Sequence, residues 1–315
     1  MRIGIDIGGT NLVAGLVNDR YELIDKVGTP ANGDRPDTEI IGDIIGLCKE
    51  VMKKNSIAES DIESIGIGVP GCYDNKNGVI LFCENINFLN TPVTKMIQEE
   101  INVPVYLGND ADCAALGEAY AGATKDADNS VMVTIGTGVG GGIIINKKIY
   151  NGFNSCGGEL GHMVIKADGE MCGCGRRGCW EAYGSATALV RQTREAIKAN
   201  PQSILAKLAE GDPEKVNGKT AFDAMRAGCP VGTAVVEKFV EYFSTGVTNV
   251  INIFQPEMVV IGGGVSKEGK TLTDMIMKHV SRERYGEHNG LPKTTVCTAV
   301  LGNDAGVIGA AMLGV

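Results

Sequence analysis

Apolar residues at the start of the chain fall in short blocks rich in β-formers, Ile3 to Asp6, Leu12 to Val17 and Tyr21 to Val27. They are separated by Gly8-Gly9-Thr10-Asn11 and by Asn18-Asp19-Arg20, so the pattern predicts an antiparallel meander with a glycine-rich first turn. Helical spacing follows around Thr38 to Lys54, then a strand at Ser64 to Val69 and an amphipathic segment at Val93 to Ile101. A strand at Val103 to Leu107 and a helix from about Ala111 to Tyr120 complete this half. The second half repeats the opening: a strand at Val131 to Ile135, a turn over Gly136-Thr137-Gly138-Val139-Gly140-Gly141-Gly142, a strand at Ile143 to Ile145 and a return near Ile149. Helices near Ser185 to Ala199 and Val231 to Ile253, a buried strand at Met258 to Ile261 and a last helix from Ala305 to Leu313 complete the pattern. Two copies of one α/β layout are implied, with the small and polar stretch from Gly122 to Asn129 as the hinge between them.

Composition agrees with two domains and narrows the partners. The chain has 315 residues, 43% hydrophobic, and its 29 basic and 38 acidic residues sum to −9. Such a chain lacks the basic field that attracts nucleic acid or an anionic membrane surface, so phosphate must be held locally. Asp6 stands where a signal peptide needs apolar residues, and no apolar run approaches a membrane span, so a cytoplasmic protein is expected. In that reducing compartment Cys48, Cys72, Cys83, Cys113, Cys229 and Cys297 read as scattered small core residues. Cys172, Cys174 and Cys179 are clustered and call for another explanation.

Glycine numbers 44, and glycine turns expose backbone N–H groups that can cradle phosphate without a basic side chain. Gly66-Ile67-Gly68-Val69-Pro70-Gly71 and Gly136-Thr137-Gly138-Val139-Gly140-Gly141 both satisfy G-x-G-x-x-G, but neither opens a helix as a dinucleotide site requires. Gly218-Lys219-Thr220 imitates a Walker lysine, yet Pro213 occupies the place of the leading glycine, and this reading is rejected too. The Gly8-Gly9 turn alone is equally well a tight hairpin. Asp6 beside it changes the picture, because a carboxylate next to a phosphate-sized turn suits hydrated Mg²⁺.

Asn109-Asp110 precedes a helix and can be read as a helix cap or as a catalytic pair, and spacing does not choose between them. Cys172, Cys174 and Cys179, with His162 ten residues upstream of the first, make a Cys₃His set of the kind that binds structural Zn²⁺. Chance clustering or a redox site is the competing reading of the three thiols.

Asp6-Ile7-Gly8-Gly9-Thr10, the Gly136 to Gly142 run and Val260-Ile261-Gly262-Gly263-Gly264 resemble the two phosphate motifs and the adenosine motif of the superfamily of sugar kinases, heat-shock ATPases and actin. Within it the chain resembles the ROK family, specifically its bacterial glucokinases, along nearly its whole length. C-x-C-G-x-x-G-C-x-E after G-E-x-G-H is complete here, from Gly158 to Glu181. The implied fold is two ribonuclease-H-like (actin-like ATPase) α/β domains around a deep cleft, residues 1–118 plus 297–315 forming one and 119–296 the other. The resemblance implies ATP-dependent phosphorylation of a hexose at its 6-hydroxyl. Glucose is favoured over fructose, N-acetylmannosamine or N-acetylglucosamine, and the family's sugar-sensing repressors are disfavoured by a first strand starting at Arg2. It makes Asp110 the base and assigns Asn109, Glu159, His162 and Glu181 to the sugar. Asp6, Gly8, Gly9, Thr10, Asn11, Thr137, Gly138, Gly140, Gly262, Gly263 and Gly264 go to ATP and Mg²⁺, and His162, Cys172, Cys174 and Cys179 to structural Zn²⁺. Asn85 to Pro92 resembles a glucokinase segment that commonly carries Trp where Phe88 stands, and Phe88 reads equally as core or sugar platform. A homodimer or homotetramer is implied, with no nucleic acid or membrane partner.

Overall fold

In a computed structural model of the chain, which describes residues 1–83 and 85–315, the opening meander forms as β1 (Arg2–Ile7), β2 (Asn11–Val17) and β3 (Leu23–Pro30). Then come α1 (Asp37–Lys54), β4 (Ser64–Val69), β5 (Gly71–Asp74), β6 (Val79–Cys83), β7 (Leu89–Thr91), α2 (Val93–Gln98), β8 (Val105–Asn109) and α3 (Asp110–Tyr120). The repeat is β9 (Ser130–Ile135), β10 (Val139–Ile145) and β11 (Lys148–Ile149). Beyond it lie α4 (Glu181–Gly184), α5 (Ala186–Ala199), α6 (Ile204–Leu208), α7 (Thr220–Arg226) and α8 (Pro230–Phe254). The chain ends with β12 (Met258–Gly263), α9 (Lys270–Glu283), β13 (Thr295–Thr298) and α10 (Ala305–Ala311). The two main sheets share one order, β3-β2-β1-β4-β8 and β11-β10-β9-β12-β13, which is the expected repeat. This is the two-part α/β fold the sequence led us to expect.

By contacts the chain forms two units, residues 1–130, 142–158 and 300–315 in the first, and 131–141 with 159–299 in the second. Residues 119–130 and 142–158 therefore group with the first unit and 297–299 with the second, the reverse of the sequence expectation. Side chains within the first unit account for this. Lys147 Nζ donates to the carbonyls of Ala119 (2.8 Å) and Thr124 (3.5 Å), and the Asn146 amide donates to Asn129 Oδ1 at 3.1 Å.

In the first unit, β1 pairs antiparallel with β2 and parallel with β4, and β4 pairs parallel with β8. All six residues of β4 are buried, as its unbroken Ile and Gly run requires of a central strand. β3 alternates half-buried and exposed positions and forms the edge. α1 turns Ile40, Ile41, Ile44, Leu47 and Val51 inward, a stripe at helical spacing. Glycine lets α10 lie directly on this sheet. A Cβ at Gly4 would stand 1.8 Å from the Val307 carbonyl oxygen and one at Gly66 1.7 Å from that of Ala310. A Cβ at Gly309 would in turn stand 1.6 Å from the Cys113 carbonyl oxygen of α3. Gly4, Gly66 and Gly309 are thus the positions that let three layers come into backbone contact. At the far end of α3 the fully buried Glu118 accepts the amides of Ala123, Val300 and Leu301, at 2.7, 2.9 and 2.9 Å.

In the second unit, α8 is buried along Val236, Phe239, Val240, Phe243 and Val247. Phe239 and Phe243 are therefore core, while Tyr242 packs on Tyr183 with ring centres 4.6 Å apart. Trp180 is fully buried on α8, its ring 5.1 Å from that of Phe243, and a Cβ at Gly246 would strike it at 2.0 Å.

Four sequence expectations need correction. β10 begins at Val139, so Gly140, Gly141 and Gly142 lie inside a strand and the turn is confined to Gly136, Thr137 and Gly138. β8 starts two residues later than expected and ends on Asn109, since Pro104 has no N–H to donate. Cys72 is exposed rather than a core residue. The sheet β5-β6-β7, helices α6, α7 and α9, and β13 were not anticipated.

Candidate active site

In the first unit, β1 delivers Asp6 to its C-terminal end, just before the glycine turn. That turn is closed by the Gly8 amide donating to the Asn11 carbonyl at 2.9 Å, and Gly9, Thr10 and Asn11 are exposed on it. Burial, with the nearby charge of Asp110 as the second cause, raises the Asp6 carboxyl from 3.8 to about 6. α10 forms the floor: a Cβ on Gly306 would stand 3.0 Å from Asp6 Oδ2.

Asp110 is the first residue of α3, and Asn109 is its cap. Asn109 Oδ1 accepts the amides of Ala111 at 2.9 Å and Asp112 at 3.4 Å, so the capping reading of this pair is correct. Capping does not exhaust it. The Asp110 carboxylate is exposed at residue level yet crowded by protein, and loss of hydration raises its pKa. Bonds from the Ala111 amide (2.9 Å) and the Asn109 side chain oppose that rise. Both carboxylates are thus shifted toward the protonated form, Asp110 by burial and Asp6 by burial and the charge of Asp110, as expected where a cation and a transferable proton are to be handled. Phe88 is buried in the hydrophobic core at 1% exposure, which makes it core and not a sugar platform.

In the second unit, the short turn over Gly136, Thr137 and Gly138 is closed by Gly136 N–H to the Gly138 carbonyl (3.0 Å). It is pinned to the start of α5 by the Ala186 amide on the Gly136 carbonyl at 2.9 Å. The Val139 amide donates to Glu181 Oε2 at 3.1 Å, and a Cβ on Gly138 would lie 2.1 Å from that same oxygen. Only glycine allows the carboxylate to press on the turn. β12 brings up Gly262, Gly263 and Gly264; Gly263 has φ +82°, and its Cβ would be 2.3 Å from the Ile135 carbonyl oxygen. A side chain there would be strained and would part the two motifs.

The ligand atoms of His162, Cys172, Cys174 and Cys179 all lie within 4.8 Å of one another. His162 Nδ1 is 3.7 Å from Cys172 Sγ, and Cys174 Sγ is 3.7 Å from Cys179 Sγ. A tetrahedron with metal–sulfur bonds of ~2.3 Å has edges of about 3.8 Å, so these two pairs already stand at the spacing of a tetrahedral metal site. Gly178, at φ +81° with its Cβ position 1.8 Å from the Lys166 carbonyl oxygen, lets the loop close so tightly. Nδ1 faces the thiols, which leaves Nε2 of His162 for another partner. Glu181 touches this cluster as well, with Cys172 Sγ donating to its Oε1 at 3.4 Å, and it therefore links the cysteine loop to the Gly136–Gly138 turn. Glu159 is exposed two residues before Gly161. Arg176 and Arg177 donate to the carbonyls of His162 and Gly169 at 3.3 and 3.2 Å, so they brace the loop as well as solvating it.

Sequence reading missed one part of this unit. A pocket of about 460 Å³ is lined by Gly136 and Thr137, by Gly264 and Lys267, and by the loop Asn217-Gly218-Lys219. The Gly-Lys-Thr run is the one sequence signal for it, and it becomes informative only once the fold sets that loop beside Gly136 and Thr137.

Comparison with known proteins gives a family model described as ROK family that matches residues 2–314. The chain is 35% identical over 317 residues to a glucokinase of Streptomyces coelicolor, covering 99% of this chain and 97% of the relative. A crystal structure of a ROK family glucokinase from Streptomyces griseus in complex with glucose and AMPPNP aligns with a TM-score of 0.77 at 33% identity, over 99% of this chain and 98% of that one. A ROK hexokinase from Thermus thermophilus aligns with a TM-score of 0.82 at 29% identity, over 99% and 97% of the two chains. No helix among the described residues is long and apolar enough to cross a membrane.

Proposed function

Because this chain belongs to the ROK family, we propose that it is an ATP-dependent glucokinase, transferring the terminal phosphoryl group of ATP to the 6-hydroxyl of glucose. The observation that carries the reading is the carboxylate pair of the first unit, Asp6 at the end of β1 and Asp110 fixed by Asn109 at the start of α3. Asp110 accepts the proton of the attacking hydroxyl, and its raised pKa makes it a stronger base than a solvated aspartate. Asp6 orients hydrated Mg²⁺, which supplies charge neutralisation on the phosphate oxygens. Amides of the Gly8 to Asn11 turn and of Thr137 and Gly138 hold phosphate oxygens, and Gly262 to Gly264 receive the adenosine.

On the sugar side, Asn109, Glu159, His162 through Nε2, and Glu181 bond the remaining hydroxyls. Zn²⁺ suits the thiolates and imidazole of Cys172, Cys174, Cys179 and His162, and with all four positions filled its part is to fix the loop and the His162 tautomer. With a metal on the Cys172 thiolate, Glu181 Oε1 would have no thiol proton to accept and would be open to a sugar hydroxyl. A coupled assay of ADP release over glucose, fructose, mannose, N-acetylmannosamine and N-acetylglucosamine tests the reading. Glucose is expected to give the highest kcat/KM; absence of ADP release with every sugar rejects a kinase, and a preferred epimer corrects the substrate.

A further inference from the structure

The glycine turns offer dipoles but no formal charge, and the chain is acidic. The pocket beside the second turn departs from that background. Its charged lining residues are Lys219, Lys267 and Glu268, and Glu268 is already paired with Arg226. Neighbouring cations in the sequence are committed elsewhere, Lys215 to Glu210 and Lys270 to Asp274. Among the described residues neither Lys219 nor Lys267 has an acidic partner. Both are held on rigid backbone. The Lys219 amide donates to Asn217 Oδ1 at 2.9 Å and the Asn217 amide to Thr220 Oγ1 at 3.0 Å. Lys267 sits on the single-turn helix Gly264–Glu268, which is tied by Ser266 Oγ to the Gly263 carbonyl at 2.7 Å.

We propose that Lys219 and Lys267 are the nucleotide-positioning cations of this chain, binding the phosphate tail of the nucleoside triphosphate in the pocket they line together with Gly136 and Thr137. The Gly-Lys-Thr run fails as a linear Walker motif, since Pro213 stands in place of the leading glycine; the fold instead carries its lysine to a pocket shared with the turn Gly136 to Gly138, more than 80 residues away in sequence. This inference rests on the kinase reading above.

The test is calorimetric titration of the whole protein with Mg²⁺-AMPPNP and, separately, with uncharged adenosine, for the parent, Lys219→Ala, Lys267→Ala, the double variant and Lys219→Arg. Each alanine should weaken AMPPNP roughly tenfold, the scale of one charge-assisted bond. Adenosine and glucose affinities should stay put, arginine should restore most of the loss, and the double variant should show a flatter salt dependence. Alanine variants that bind AMPPNP as the parent does, or that lose adenosine in equal measure, overturn the role of the lysines. A parent protein that fails to bind AMPPNP overturns the nucleotide reading of the pocket itself.

Discussion

Replacing Asp6 by Asn should stabilise the ligand-free first unit while abolishing turnover. Asp6 titrates at about 6 in the folded protein against an ordinary 3.8, mainly because it is buried. A raised folded pKa means that the folded state holds the proton more tightly than the unfolded chain. Below 3.8 both states are protonated and the group costs nothing; between 3.8 and 6 the cost grows; above 6 it is complete. At 1.36 kcal/mol per pH unit the full cost is about 3 kcal/mol, and at pH 4.5 the same linkage leaves about 1 kcal/mol. Asn keeps the shape that fits over Gly306 and removes the charge. The only tryptophan, Trp180, lies in the second unit, so its fluorescence is the wrong probe. Hydrogen exchange of the β1 amides, read by mass spectrometry, reports the first unit directly. Protection in Asp6→Asn should exceed the parent by roughly 100-fold at pH 8 and by only about fivefold at pH 4.5. Equal protection at pH 8, or a gap that does not change with pH, would refute the assignment of a buried, charge-bearing Asp6. Mg²⁺-AMPPNP should close the gap for the parent alone, because the cation stabilises the ionised carboxylate that the variant lacks.

Three further outcomes follow from the same geometry. Asp110→Asn should lower kcat by about 10² to 10⁴ with glucose binding largely retained; it should also lower the Asp6 pKa without returning it to 3.8, since burial is the larger cause. Protein purified without chelator should contain one zinc per chain by elemental analysis, and stripping it should expose Cys172 and Cys179 to a thiol reagent and end activity, whereas a metal-free active preparation contradicts the site. Gly309→Ala places a Cβ 1.6 Å from the Cys113 carbonyl oxygen, between two backbones that cannot yield as a side chain would, and should cost about 3 kcal/mol or more in denaturant unfolding; a loss below ~1 kcal/mol would show that α10 can lift off α3.

What was legible in the sequence depended on whether the signal was local. β1 to β4 and the repeat at β9 to β12 announce themselves through runs of Ile and Val broken by glycine, and their matching order emerges from that spacing. The Cys₃His cluster was legible because three of its members lie within eight residues. Gly140 to Gly142 were misplaced because glycine looks like turn wherever it stands. Only the fold shows that Gly142 is a strand residue whose Cβ would be 2.5 Å from that of Ala115 on α3. The β5-β6-β7 sheet was missed for the opposite reason: it leaves Leu81, Phe82 and Leu89 exposed, so the usual alternation is absent. α9 buries only Leu272, Thr273, Ile276 and Val280 behind a charged surface, a pattern too sparse to read before β13 is known to cover it.

The residue that joins these observations is Glu181, which neither motif nor spacing marks as more than a sugar contact. One carboxylate oxygen accepts the Val139 amide at the exit of the Gly136–Gly138 turn, and the other lies on Cys172. Metal binding at the Cys₃His cluster would therefore be felt at the turn: if Cys172 is a thiol, its proton engages Glu181, and were it a metal-bound thiolate, that oxygen would be released. A merely structural zinc would affect glucose alone, through His162. The link through Glu181 requires more: Glu181→Gln, which keeps the size and the hydrogen bond to Val139 but weakens the acceptor, should raise the KM for ATP as well as that for glucose. A rise confined to glucose would show that the turn does not feel the carboxylate.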